Sequence, residues 1–249
     1  DPFNPQTFHG SVRTRIDKGI RIEYFSHCMP LIETPSKSIR IAAVPILTDL
    51  FDDDGNLGHQ FPEPQYLGAK YRLLPWIGQY IPRGVSNVLD AFSGSQSVSY
   101  FFKQKGLKVI ANDFLNFSNQ IGKALIENNS IRLNGGDVAA LFGKAKNKAD
   151  YCLMETLFAG LFFEKEEARF IDNFRANVES LNDPYKRALA LAVMNRSLTR
   201  KVTMGHFAHT QALAYANDPA RIKRNRSLAR SVKDIFLDLL PLYNAAVFD

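Results

Sequence analysis

The sequence predicts an α/β unit followed by a mostly helical half, and two observations carry that reading. Residues 87–114 (NVLDAFSGSQSVSYFFKQKGLKVIANDF) run as apolar strand, small-residue turn, helix, apolar strand and acid, the order of a parallel β-α-β crossover. Residues 164–240 then carry three stretches whose apolar side chains recur at helical spacing.

The bulk numbers set the frame. With 249 residues, 45% hydrophobic and 12% aromatic, the chain can bury one large core. No run approaches the roughly 20 apolar residues of a membrane span, and the opening DPFNPQTFHG lacks the layout of a secretory signal. Cys28 and Cys152 stand far apart with no CxxC, which suits reduced structural thiols and a cytoplasmic chain. A net charge of +6 permits a polyanionic partner without requiring one.

In chain order, residues 1–60 read as an N-terminal arm and hairpin, with strand signals at 16–25 and 39–47 interrupted by Pro30 and Pro35. The acids Asp52, Asp53 and Asp54 are adjacent rather than alternating, so they mark a turn and not a calcium loop. Residues 66–81 (YLGAKYRLLPWIGQYI) predict a helix with Leu73, Leu74, Ile77 and Ile81 on its apolar face and Pro75 near its start. Gly68 and Lys70, just ahead of it, read as a loop brought up against another part of the molecule or its surroundings, or else as an ordinary loop with a solvated lysine.

Residues 87–114 carry the chemistry. Val88 and Leu89 lead to Asp90, and Phe92-Ser93-Gly94-Ser95 make the turn. Val98, Phe101 and Phe102 mark the helix, Gly106 closes it, and Val109-Ile110-Ala111 lead to Asp113. Small residues let backbone approach a ligand, and an acid ending the second strand can accept both hydroxyls of a ribose. The turn has one glycine where a dinucleotide fingerprint has three, so an adenosine ligand without a pyrophosphate, such as S-adenosyl-L-methionine, suits it better. The alternative is a structural turn with a plain helix cap at Ser93 or Ser95.

Downstream, 116–128 predicts a helix capped by Asn116, with Ile121, Ala124 and Leu125 inward, and 135–143 a shorter one. The apolar run 151–163 (YCLMETLFAGLFF) is strand or helix, which periodicity does not decide. Helices follow at 164–181, 185–200 and 227–240, with Pro241 ending the last. This half carries Arg196, Arg200, Lys201, Arg221, Lys223, Arg224, Arg226, Arg230 and Lys233 with His206 and His209, and Asp218 as the one acid among them. Such a mixture suits a DNA-facing loop with phosphate contacts from its cations, or else a solvated basic surface. No cysteine or acid completes a metal site at the two histidines.

Taken together, YLGAKYRLLPWI at 66–77, VLDAFSGSQSVSYFF at 88–102 and VIANDF at 109–114 resemble the opening motifs of the DNA adenine-N6 methyltransferases of restriction–modification systems. The resemblance implies a Rossmann-like methyltransferase fold with an incomplete sheet, divided as 1–60 arm, 61–150 cofactor-binding α/β region and 151–249 helical, basic target-recognition region. It implies S-adenosyl-L-methionine as cofactor and double-stranded DNA as partner. Tyr66, Gly68 and Lys70 would line the cofactor pocket, and Asp90, Phe92, Gly94 and Ser95 its methionine side. Asp113 would hold the ribose, with Phe114 beside the adenine. The family's second turn glycine is Gln96 here.

The departure is an absence. No [Asp/Asn/Ser]-Pro-Pro-aromatic motif occurs in the chain. In the family that motif accepts the hydrogens of the target amine and stacks on the flipped base, so no catalytic residue is assigned here. Asn182-Asp183-Pro184-Tyr185 has one proline and lies between helical runs, where Asp183 as cap and Pro184 as first helical residue explain it. The expectation is a chain that supplies cofactor binding and part of DNA recognition, while a downstream segment or second chain supplies the motif. A non-catalytic DNA-binding module on the same scaffold is the alternative.

Overall fold

The computed structural model describes residues 60–145, 151–202, 207 and 211–249. The sequence readings within 1–59, together with His206 and His209, lie outside the described residues.

A 3-10 turn, Tyr71–Leu73, leads into the short helix α1 (Leu74–Gly78), with Pro75 in its first turn. The apolar face expected over 66–81 is only half-buried: Leu74, Ile77 and Ile81 are partly covered, and Leu73 is 46% exposed. Strand β1 (Asn87–Asp90), helix α2 (Ser97–Gln104) and strand β2 (Lys108–Ala111) follow as expected. The strands pair in parallel, Asn87 opposite Lys108 and Asp90 opposite Ala111. Tyr100, Phe101 and Phe102 of α2 are buried.

Helix α3 (Asn116–Ile121) starts after an extended Leu115, so Asn116 is its first residue and not its cap. It continues into a π-helical segment, Gly122–Glu127, with Ile121, Ala124 and Leu125 inward as expected. Helix α4 (Gly135–Phe142) is opened by a reciprocal pair, in which Asn134 accepts the Asp137 N–H and Asp137 accepts that of Asn134. The apolar run at 151–163 is neither a regular strand nor a regular helix. The Asp172 carboxylate accepts the N–H groups of Met154 and Glu155, opening a π-type turn at Met154–Phe158. Gly160, at φ +79, then folds the chain back so that Ala159 bridges Phe163.

Helices α5 (Lys165–Val178) and α6 (Pro184–Lys201) match their expected spans, and the Asp183 side chain caps α6 at Tyr185 and Lys186. The described residues of the stretch expected as a DNA-facing loop carry α7 (Ala212–Ala216) and α8 (Pro219–Arg224). Helix α9 (Val232–Ala245) overturns the expected stop at Pro241, which sits inside it. Proline removes one intrahelical bond, here to the carbonyl of half-exposed Leu237, while buried Phe236, Leu239 and Tyr243 keep the helix on the core.

One core joins both halves. Tyr100, Ile121 and Leu125 share it with Phe174, Leu189, Val193, Val232, Ile235 and Phe236. Phe142 and Phe174 meet Phe236 with ring centroids 5.4 and 5.3 Å apart, within the range of favourable aromatic pairs. The far end of α9 is tied to the α/β unit. The Tyr100 hydroxyl donates to Ala246 O at 2.8 Å, and Arg132 donates to Asn244 O at 2.9 Å and Val247 O at 2.8 Å. Lys103 closes the π-helical segment by donating to Leu125 O at 3.2 Å and Asn128 O at 3.0 Å.

Burial of Lys103 lowers its pKa to about 8, an effect that nearby Asp249 partly opposes. Its proton therefore leaves the folded chain before it leaves the unfolded one, whose lysines hold theirs to pH ~10.4. Between those values the unfolded state binds more protons, so this group's contribution to stability rises with pH. Urea unfolding at pH 7.5 and 9.5 should show the native chain gaining relative to Lys103→Met as pH rises. An unchanged difference would refute it.

Candidate cofactor site at the β1–α2 turn

Because the strands pair in parallel and in register, their C-terminal ends lie side by side. The ladder continues past them: Asn112 N donates to Asp90 O and Ser93 N to Asn112 O, each at 2.9 Å. Gly94 N then donates to Asp113 Oδ2 at 2.7 Å, and Leu115 N to Asp113 Oδ1 at 2.9 Å. One carboxylate thus holds the turn after β1 to the segment after β2. Each of its oxygens keeps a second lone pair for an outside donor.

The turn itself is shaped by left-handed backbone. Gly94 adopts φ +48, and a Cβ there would stand 3.3 Å from the Tyr66 ring. Gln96 caps α2 at φ 66 with its backbone, so neither Ser93 nor Ser95 is the cap. For a side-chain-bearing residue that conformation costs about 1–2 kcal/mol. Ser95 instead donates to Ser97 Oγ at 3.0 Å, and Ser93 to Asn112 O at 3.0 Å. Asp90 accepts a 2.7 Å bond from the buried Ser99 hydroxyl, which fixes its carboxylate.

Tyr66 therefore reaches the turn, its ring also stacked on Phe117 at 6.1 Å. Gly68, at φ +85, and Lys70 close a loop of their own, the Lys70 ammonium donating to Gly68 O at 2.6 Å. Phe92 and Phe114 project from the ends of the strands, 91% and 98% exposed. Tyr66, Asp90, Gly94, Ser95 and Asp113 are thus gathered around one turn, and the two phenylalanines stand free beside it. Sequence reasoning missed Phe117, Ser99 and Ser118. Each is one ordinary residue in a helical pattern, and only the fold brings it to the turn.

The expected DNA contacts separate into two kinds. Lys201 donates to Leu228 O at 2.8 Å and Arg230 O at 2.7 Å, tying the end of α6 to the chain ahead of α9, while Arg230 itself pairs with Asp238 of α9 at the surface. Arg196 donates to Gln65 Oε1 at 3.3 Å and is partly buried, which lowers its pKa. Arg221 lies 4.4 Å from the Tyr215 ring centroid. Arg200, Lys223, Arg224 and Arg226 are exposed. Among the described residues no group of three histidines, cysteines or acids could hold a metal, and no helix is long and apolar enough to cross a membrane.

The model of a family described as D12 class N6 adenine-specific DNA methyltransferase matches residues 66–236. The chain belongs to that family. Its match opens at Tyr66, takes in the β1–α2 turn and Asp113, and runs into α9. Over 148 residues the chain is also 38% identical to Type II methyltransferase M2.HphI of Haemophilus parahaemolyticus, an alignment covering 59% of this chain and 43% of that protein. The chain thus spans less than half the length of that relative. No solved structure matches it significantly.

Gly94→Ala places a side chain at positive φ and against Tyr66. It should cost about 1–2 kcal/mol of stability. Chemical denaturation reads this directly, and a midpoint equal to that of the native chain would contradict the turn geometry.

Proposed function

We propose that this chain is the cofactor-binding and part of the DNA-recognising portion of an S-adenosyl-L-methionine-dependent methyltransferase acting on adenine N6 in double-stranded DNA, within a restriction–modification system. The observation that carries the reading is the Asp113 link to Gly94, which joins an acid at the end of β2 to the turn after β1.

The residues fit the cofactor. When bound, S-adenosyl-L-methionine supplies an electrophilic methyl group on a sulfonium. Asp113 would accept the ribose hydroxyls through its remaining lone pairs, and Phe114 offers an exposed ring for the adenine. The turn Phe92–Ser95 with Asp90, held by Ser99, would face the methionine end. Tyr66, whose ring packs against the turn at Gly94, would line the pocket with Gly68 and Lys70.

The sheet fits a Rossmann-like fold that continues beyond these strands. Parallel sheets are ordinarily covered on both faces, yet Leu89 is 63% exposed and Ile110 58%. Among the described residues β1 and β2 pair only with each other. A downstream segment or second chain that extends this sheet would also bring the Asp-Pro-Pro-aromatic motif that the 249 residues lack. On this reading residues 61–150 hold the cofactor. Residues 151–249 present the basic surface to DNA, with Arg200, Lys223, Arg224 and Arg226 exposed to meet phosphates.

Two measurements test this. Asp113→Ala should abolish S-adenosyl-L-methionine binding in calorimetry while leaving DNA affinity intact; unaltered cofactor affinity would remove the proposed site. Replacing Lys223, Arg224 and Arg226 together by alanine should weaken DNA binding and flatten its salt dependence by about 2–3 logarithmic units per unit of log salt. A slope matching the native chain would place the DNA elsewhere.

A further inference from the structure

Gln96 is the one residue other than glycine with positive φ among the described residues, and it is 1% exposed. Its side chain leaves the turn and ends on the helix that follows β2. Nε2 lies 2.8 Å from Ser93 Oγ, 3.1 Å from Ser118 O and 3.0 Å from Ser118 Oγ. The Ser118 carbonyl fixes the amide's orientation, because the flipped amide would set oxygen against oxygen. Oε1 is left buried without a partner among the described residues.

The place it occupies is made by a second residue. A Cβ on Gly122 would stand 3.1 Å from Gln96 Nε2 and 3.3 Å from its Cδ. Gly122 is also where α3 passes into the π-helical segment, a rare local widening that recurs at functional sites. A strained backbone and an unpaired buried oxygen at one residue point to a role that outweighs both.

We infer that Gln96 is a positioning residue for the cofactor, acting through the turn, and that Gly122 is its seat. The assignment rests on the proposed cofactor site. The amide ties the turn carrying Gly94 and Ser95 to the helix carrying Phe117 and Ser118, and Phe117 in turn stacks on Tyr66. Three separate stretches of the site are thereby held in one register. A glycine at position 96 would satisfy the backbone more easily and tie nothing.

The test is a double-mutant cycle in the 249-residue chain with two readouts, amide hydrogen exchange at Gly94 and Ser97 and the affinity for S-adenosyl-L-methionine. Gln96→Gly should speed exchange at both amides and weaken the cofactor about tenfold, with global unfolding little changed. Gly122→Ala should do the same in the native background and add less than about twofold on top of Gln96→Gly, since its effect runs through Gln96. Gln96→Asn accepts the left-handed backbone but falls one methylene short of Ser118, so it should match Gln96→Gly and covers the case where glycine unfolds the chain. Native exchange and affinity in the position-96 variants, or an equal cost of Gly122→Ala in both backgrounds, would overturn the assignment. Failure of the native chain to bind the cofactor would overturn the cofactor role together with the site, while the exchange cycle would still show whether Gln96 ties the turn.

Discussion

The constraint on which the site depends is the parallel register of β1 and β2. Two parallel strands bring like ends together, and the crossover helix α2 returns the chain so that Asp90 and Ala111 finish at the same level. Everything beyond that level is then within hydrogen-bonding reach: Asn112 pairs with Asp90 and Ser93, and Asp113 with Gly94. Slipping a strand by one residue would turn each side chain to the opposite face and carry Asp113 away from the turn.

The helical half gives this small sheet its footing. A two-stranded sheet is not stable by itself in water, and here α2 and the segment after α3 enter the same core as α5, α6 and α9. Phe174 and Phe236 belong to that core, and Phe142 and Phe170 pack against it. Basic residues divide accordingly. Lys201 is spent on backbone carbonyls and Arg230 on the Asp238 carboxylate, while Lys223, Arg224 and Arg226 remain exposed.

Much of this was legible in the sequence, for identifiable reasons. The β1–α2–β2 order showed because each element has its own period and its own punctuation, ending at Asp90, Gly106 and Asp113. Asp183 and Pro184 showed because cap and first-turn chemistry is local. The readings that failed were those decided by tertiary surroundings. Pro241 stays helical because the residues around it are anchored in the core. The run 151–163 is shaped by Asp172, a residue from a later helix. Gln96 stands where the family has glycine, and only the room above Gly122 shows how a long side chain fits there. Among the basic residues the sequence offered no sign of which heads face inward.

The tie between Arg132 and the end of α9 bears on the order in which the molecule is made. Leu133 and Asn244 exchange hydrogen bonds across 111 positions of sequence, and Tyr100 reaches Ala246 across 146. Contacts this distant form late, because the loop they close must first lose its freedom. During synthesis the β1–α2–β2 unit emerges from the ribosome long before the helix that braces it. Until α9 docks, Tyr100 lacks its acceptor. The early half therefore waits, with the Tyr100 hydroxyl unpaired, for α9.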